Sequence, residues 1–234
     1  MTPKKNNKLC WLNAGNPCGL IQLLVLGNLL DKFPNEELIG LEVGSAYGGG
    51  VEMAAKLWKG RGKFYGYDTF EGHPKDLAIN PNHKESWCMD MWYEDPNFGT
   101  EKLKYDYQRK VLDEQGLDNA ILVKGRVNKH SFDDIEKAHF VMIDLDMINP
   151  TKVAYEAIKD KIVVGGYLLM HDSFPEDHLP MIYDFVYDKI IPEGKWKIIK
   201  RSVGGLVTVL ERWVNVFGKL NEQTLSMNDD MEVL

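Results

Sequence analysis

The sequence predicts an α/β protein: a doubly wound, mainly parallel sheet of seven strands, with an antiparallel hairpin at one edge. Three observations predict it. Short apolar runs alternate with helically spaced segments along most of the 234 residues. Most of those runs are continuously apolar, the mark of strands covered on both faces. The last two runs are joined by Val203-Gly204-Gly205, a sequence suited to a tight turn.

The elements follow in order. A helix is expected around Gly19 to Leu30, within an N-terminal extension over residues 1–37. The main domain spans 38–220 and opens with a strand, Leu38 to Val43, that runs into a glycine. Gly49 to Lys59 carries Val51, Ala54, Ala55 and Trp58 at helical spacing. Lys63 to Tyr67 is the second strand. A helix over roughly Glu101 to Gln115 precedes the third, Ala120 to Lys124. Phe140 to Leu145 is the fourth, apolar until Asp144, and Pro150 suits the first turn of a helix through Lys161. Gly165-Gly166 ends that helix and opens the fifth strand, Tyr167 to Met170. A helix near Leu179 to Ile190 and strands Lys197 to Lys200 and Leu206 to Leu210 complete the set. Residues 70–100 form a long insertion rich in aromatics (Phe70, Trp87, Trp92, Tyr93, Phe98), and 221–234 an acidic, frayed tail.

Composition narrows the function. With 44% hydrophobic and 27% charged residues the chain can build a sizeable core. Its net charge of −7, with no dense basic stretch beyond Lys4-Lys5 and the mixed Lys195 to Arg201, disfavours nucleic acid as a partner. The most apolar stretch, Leu20 to Leu30, holds Gln22 and Asn28 and is only 11 residues long. A membrane span needs about 20. The three cysteines, Cys10, Cys18 and Cys88, form no C-x-x-C pair, which suits free thiols in a reducing cytoplasm.

Open α/β sheets bind ligands beyond the carboxyl ends of their strands. The first strand ends in Glu42-Val43-Gly44-Ser45-Ala46-Tyr47-Gly48. The pattern is E-x-G-x-x-x-G rather than G-x-G-x-x-G, so it lacks the second glycine that admits a dinucleotide pyrophosphate. A carboxylate just before the turn suits a cationic or amine-bearing ligand. Asp68 lies 24 positions after Gly44, where an acid hydrogen-bonds ribose hydroxyls. A nicotinamide-dependent oxidoreductase is disfavoured by the same glycine spacing.

This arrangement resembles the class I S-adenosylmethionine-dependent methyltransferases. The resemblance implies their seven-stranded Rossmann-like sheet and roles by position. Glu42 and Gly44 would line the methionine end of the cofactor, with Ser45, Tyr47 and Gly48 in the same turn. Asp68 would take the ribose, with Thr69 and Phe70 beside it, and Gly125 and Arg126 would lie near the adenine.

The fourth strand ends Asp144-Leu145-Asp146 and the fifth ends His171-Asp172. Alternation puts Asp144 and Asp146 on one side of their strand. Clustered carboxylates repel, so such a rim needs a cation or a shared proton. Oxygen ligands favour Mg²⁺, Ca²⁺ or Mn²⁺. Asp at strand ends also caps helices and turns, and a lone His is more often structural than a ligand.

Here the resemblance narrows. Asp68-Thr69-Phe70-Glu71-Gly72-His73-Pro74 is similar to the D-S-F-E-G-x-P signature of the macrocin O-methyltransferase-like family. Asp144 to Thr151 is similar to its D-x-D segment, and Val164 to Asp172 to its G-G-Y…D-D segment. The resemblance implies methylation of hydroxyls on sugars and related natural products, often with Mg²⁺. It would make Asp144 a metal ligand that also borders the cofactor, Asp146 the general base, and His171 and Asp172 the remaining ligands. Two departures stand out: His171 replaces the first Asp of the pair, and Ile148 replaces a usual Tyr. Imidazole suits Mn²⁺ or Fe²⁺ better than Mg²⁺. A metal-free enzyme using His171 or Asp146 as base, and a cofactor-binding module without chemistry, stay open.

In the insertion, Trp87, Trp92 and Tyr93 suit a substrate-covering lid. The same residues suit a subunit contact, which leaves a homo-oligomer open. The expected substrate is a small molecule.

Overall fold

A computed structural model describes residues 17–71, 104–173, 180–201 and 207–213. Helix α1 (Pro17–Lys32) leads into β1 (Leu38–Val43), α2 (Gly49–Leu57) and β2 (Gly62–Asp68). Then come α3 (Tyr105–Glu114), β3 (Ala120–Lys124), β4 (Ala138–Ile143), α4 (Ile148–Ile158) and β5 (Ile162–His171). A short α5 (Pro180–Phe185) continues as a π-helical turn through Ile190 and precedes β6 (Trp196–Arg201) and β7 (Val207–Arg212).

The seven strands form one sheet in the order β3-β2-β1-β4-β5-β7-β6. The first five are parallel, while β7 runs antiparallel to both β5 and β6. The expected fold class and edge hairpin are therefore present. After β1 the chain builds outward through β2 and β3, then returns to place β4 on the other side of β1. The crevice of a doubly wound sheet lies at that reversal.

Helices cover both faces. On one, Phe64, Phe140 and Leu169 of the sheet pack with Leu26 and Leu29 of α1, Val51 and Ala54 of α2, and Leu112 of α3. On the other, Leu41, Val141, Ile143 and Leu168 pack with Ala154, Tyr155 and Ile158 of α4 and with Phe185 and Val186. Consecutive β4 residues divide between these cores, which explains why the strand is apolar throughout. The α1 helix is fastened to this layer: Trp58 Nε1 donates to the Leu26 carbonyl at 3.1 Å, and Tyr167 Oη to Asn28 Oδ1 at 2.9 Å.

Several boundaries differ from expectation. β4 stops at Ile143, so Leu145 belongs to the following loop. The Gly165-Gly166 pair does not open β5 but lies inside it. Pairing with β4 jumps from Ala138–Ile162 to Phe140–Tyr167, and the surplus β5 residues bulge out where Gly165 has φ 84°. α4 starts at Ile148, two residues before Pro150, which stays within the first turn where a missing N–H leaves no bond unmade. No helix among the described residues is long and apolar enough to cross a membrane.

Candidate active site

Four non-glycine residues among those described have positive φ: Ala46, Phe70, Asp146 and Asp172, at 43°, 56°, 56° and 54°. Each follows the end of a different parallel strand, β1, β2, β4 and β5 respectively. Backbone strain of this kind persists where surrounding structure fixes it, and it gathers at functional rims.

The β1 turn is held against the β4 end. Gly44 has φ 93°, and a Cβ placed on it would lie 1.7 Å from the Asp144 carbonyl oxygen. The Asp144 N–H donates to the Val43 carbonyl at 2.8 Å, and the Gly44 N–H to the Tyr67 carbonyl at 2.8 Å. Glycine is required here for the approach of a neighbouring backbone. Gly50, in the first turn of α2, makes room in the same way: a Cβ there would meet Glu42 Oε1 at 2.3 Å, so its absence accommodates that carboxylate.

Next in the β1 turn, Ala46 is clamped at both ends. Its N–H donates to Asp68 Oδ2 at 2.8 Å, and its carbonyl accepts from Gln108 Nε2 at 2.6 Å. Asp68 Oδ1 accepts the Phe70 N–H at 2.8 Å, and the Asp68 carbonyl takes the Gly125 N–H at 2.9 Å. Asp68 thus ties the ends of β1, β2 and β3 together. Gln108 is fully buried on α3, and a polar residue on the apolar stripe of that helix is the only sign of it in the sequence.

Glu42 is buried at the centre of this arrangement. Desolvation pushes its carboxyl up to about 8, and the charges of Asp144 and Asp68 push the same way. The Gln22 amide and the Val51 backbone favour the charged form but do not outweigh burial. Oε2 of Glu42, Oγ of Ser45 and Nε2 of Gln22 have no hydrogen-bond partner among the described residues.

Across the crevice, ligand atoms of Asp144, His171 and Asp172 all lie within 4.8 Å of one another. His171 Nδ1 is 3.1 Å from Asp144 Oδ1 and 2.8 Å from Asp172 Oδ1. Burial lowers the His171 pKa, but the two carboxylates outweigh it and raise it well above the ordinary value. Asp172 is raised by desolvation, opposed by His171 and reinforced by Asp144 and Asp146. A proton on Nδ1, or a metal cation in its place, offsets the charge gathered here. One imidazole nitrogen and two carboxylate oxygens suit a divalent first-row metal, so the residues fit such an ion.

Asp146 does not belong to this triad. The alternation that placed it beside Asp144 requires an extended strand, and β4 ends before either residue. It stands in the left-handed region beside the cluster, near enough for its charge to act on Asp172. The N-cap of α4 is Met147, which makes no side-chain cap hydrogen bond.

The remaining expected residues sort differently. Ser45 and Tyr47 lie in the β1 turn, both buried, and Gly48 is the N-cap of α2 with φ 73°. Thr69 Oγ1 donates to Asp68 Oδ1 at 3.4 Å and accepts the Glu71 N–H at 3.2 Å. Phe70 is a core residue, packed edge-on against Tyr105 with ring centroids 5.3 Å apart. Arg126, exposed after β3, contributes its charge to the field at Glu71. Trp87, Trp92 and Tyr93 lie outside the described residues.

No family model matches the chain, and no curated relative does. Solved structures do. The O-methyltransferase NovP is similar at TM-score 0.63 and 14% identity, over 85% of this chain and 80% of its own. CalS11, a calicheamicin methyltransferase, is similar at TM-score 0.59 and 18% identity, over 84% and 80%. An rRNA methylase from Streptococcus thermophilus is similar at TM-score 0.54 and 16% identity, over 85% and 98%. At these identities the likeness shows a shared fold: the chain has the Rossmann-like fold of these methyltransferases.

Proposed function

We propose that the chain is an S-adenosylmethionine-dependent O-methyltransferase acting on a hydroxyl of a small molecule, a sugar or another natural product, with help from a divalent metal. The observation that carries this is the backbone contact between the Gly44 turn and Asp144. It brings the buried Glu42 carboxyl of the β1 end, suited to a cationic donor, near a carboxylate–imidazole cluster suited to an acceptor. The fold shared with NovP and CalS11 supports the reading, as does the motif order along the chain.

In this reading Glu42 accepts the ammonium group of the donor, and Asp68 offers its remaining lone pairs to the ribose. Asp144, His171 and Asp172 would hold a divalent metal. When bound, the metal supplies Lewis-acid polarisation of the acceptor hydroxyl. Asp146 takes the hydroxyl proton. The oxygen then attacks the methyl carbon in line. The carbon–sulfur bond breaks, its electron pair stays on sulfur, and S-adenosylhomocysteine leaves as a neutral thioether. The fold's main contribution is alignment of two reactants held by adjoining loops.

His171 is a poor base here, because the flanking carboxylates favour its protonated form. That favours Asp146 over His171 if the enzyme works without metal. The net charge of −7 favours a small acceptor over a nucleic acid.

The test is methyl transfer from labelled S-adenosylmethionine to a panel of sugar, phenol and polyketide hydroxyls, with and without Mn²⁺ or Mg²⁺. Transfer to one acceptor class, lost in Asp146→Asn, supports the reading. Binding of the donor with no transfer to any acceptor would favour a non-catalytic module.

A further inference from the structure

Gln22 is the only polar side chain between Leu20 and Leu26 on α1. It is 4% exposed, turned away from solvent into the layer that covers the sheet. Its neighbours on the helix bury Ile21 and Leu26 in the core, where an amide gains nothing from packing. Its Nε2 donor meets no hydrogen-bond partner among the described residues. A buried donor left unmet is destabilising, and native proteins hold few of them.

The unmet acceptor closest in chemistry is Glu42. The Gln22 amide acts on the Glu42 carboxyl, favouring its charged form, yet Glu42 Oε2 and Gln22 Nε2 both remain without a completed bond. Ser45 Oγ is a third unmet atom, lying 3.3 Å from where a Cβ on Gly66 would stand. Gly66 is the β2 residue paired with Glu42. One donor, one carboxyl oxygen and one hydroxyl are thus left open around the β1 end, and an ammonium brought beside Glu42 would favour loss of its proton.

That set is complementary to a zwitterion. An α-amino acid end carries an ammonium, all donors, and a carboxylate, all acceptors, on one carbon. We infer that Gln22 is a ligand-binding residue: its Nε2 donates to the α-carboxylate of an adenosyl amino acid while Glu42 accepts from the adjoining ammonium. This inference rests on the donor reading above and adds to it a residue from the helix that precedes the first strand. It also gives α1 a purpose beyond covering the sheet, since the helix delivers half of the recognition.

Three probes test it by calorimetry on the full chain: S-adenosylhomocysteine, its decarboxylated analogue, which keeps the amine, and 5′-methylthioadenosine, which lacks both groups. The wild-type chain should bind S-adenosylhomocysteine about tenfold or more tighter than the decarboxylated analogue, since a hydrogen bond to a charged group is worth at least that much. Gln22→Met, similar in shape without the amide, should lose that margin and leave 5′-methylthioadenosine binding within about twofold of wild type. If Gln22→Met does not fold, Gln22→Leu takes its place, with the same loss of margin expected and the same outcomes deciding. Equal wild-type affinity for the acid and its decarboxylated analogue would overturn this inference and leave the donor reading standing. Equal weakening of all three probes in Gln22→Met would overturn it too, as the mark of a purely structural residue. Binding of none of the three by the wild-type chain would overturn both.

Discussion

The α-carbon of Gly44 and the carbonyl of Asp144 stand so close that a methyl group on Gly44 would come within 1.7 Å of the Asp144 oxygen. Two loops from opposite sides of the topological reversal therefore share one backbone contact. Anything held by the first loop lies next to anything held by the second.

Gly44→Ala should be among the most disruptive single changes in the chain. It adds the clash to a φ of 93° that alanine resists. The expected destabilisation is on the order of 3 kcal/mol, combining overpacking with backbone strain. Urea unfolding measures it. An unchanged midpoint would mean that the β1 and β4 ends are free to separate.

The buried Glu42 carboxyl sets a pH dependence. Its folded pKa is raised to about 8, against an ordinary value of 4.5. Between those values the folded chain holds a proton that the unfolded chain has lost. Stability is therefore greatest at the acid end of this window and falls as pH rises from about 5 to 8, by a few kcal/mol at about 1.4 kcal/mol per unit. Glu42→Gln should flatten the curve of melting temperature against pH. A wild-type curve already flat over that range would contradict the burial of a lone carboxylate.

Mixed nitrogen and oxygen donors set a metal preference. Asp144, His171 and Asp172 should bind Mn²⁺ at least tenfold more tightly than Mg²⁺, because imidazole favours transition ions. His171→Asp should narrow that margin by making the set all-oxygen, which suits both ions. Calorimetric titration of each ion into the metal-stripped chain checks both. Equal wild-type affinities would show that the imidazole is not a ligand.

Asp146→Asn should lower kcat about 10²–10⁴-fold while leaving the donor's KM nearly unchanged, the pattern of a lost general base. A larger effect on KM than on kcat would move Asp146 from proton transfer to acceptor binding.

Much of this is legible in the sequence, for reasons that individual residues show. Glu42, Gly44 and Asp68 announce themselves because strand ends are readable from apolar runs and the rim of an α/β sheet is a general binding place. Asp144, His171 and Asp172 follow from the same logic, and the structure does bring them together. Asp146 is misplaced by the alternation rule, which assumes extended backbone, whereas the residue turns left-handed. Phe70 reads as a member of the aromatic insertion, although it is buried against Tyr105. Gln22, Gly50 and Gln108 are not legible, because their roles depend on partners brought close only by packing. Gln108 meets Ala46 across 62 positions of chain, and no local pattern encodes that.

In the proposed function the crevice grips an adenosyl sulfonium donor rather than a diphosphate. Calorimetric titration with S-adenosylhomocysteine and, in parallel, with NAD tests it most directly. The prediction is micromolar or tighter binding of S-adenosylhomocysteine, about −8 kcal/mol or better, and no measurable heat from NAD. Saturable binding of NAD with none of S-adenosylhomocysteine would contradict it.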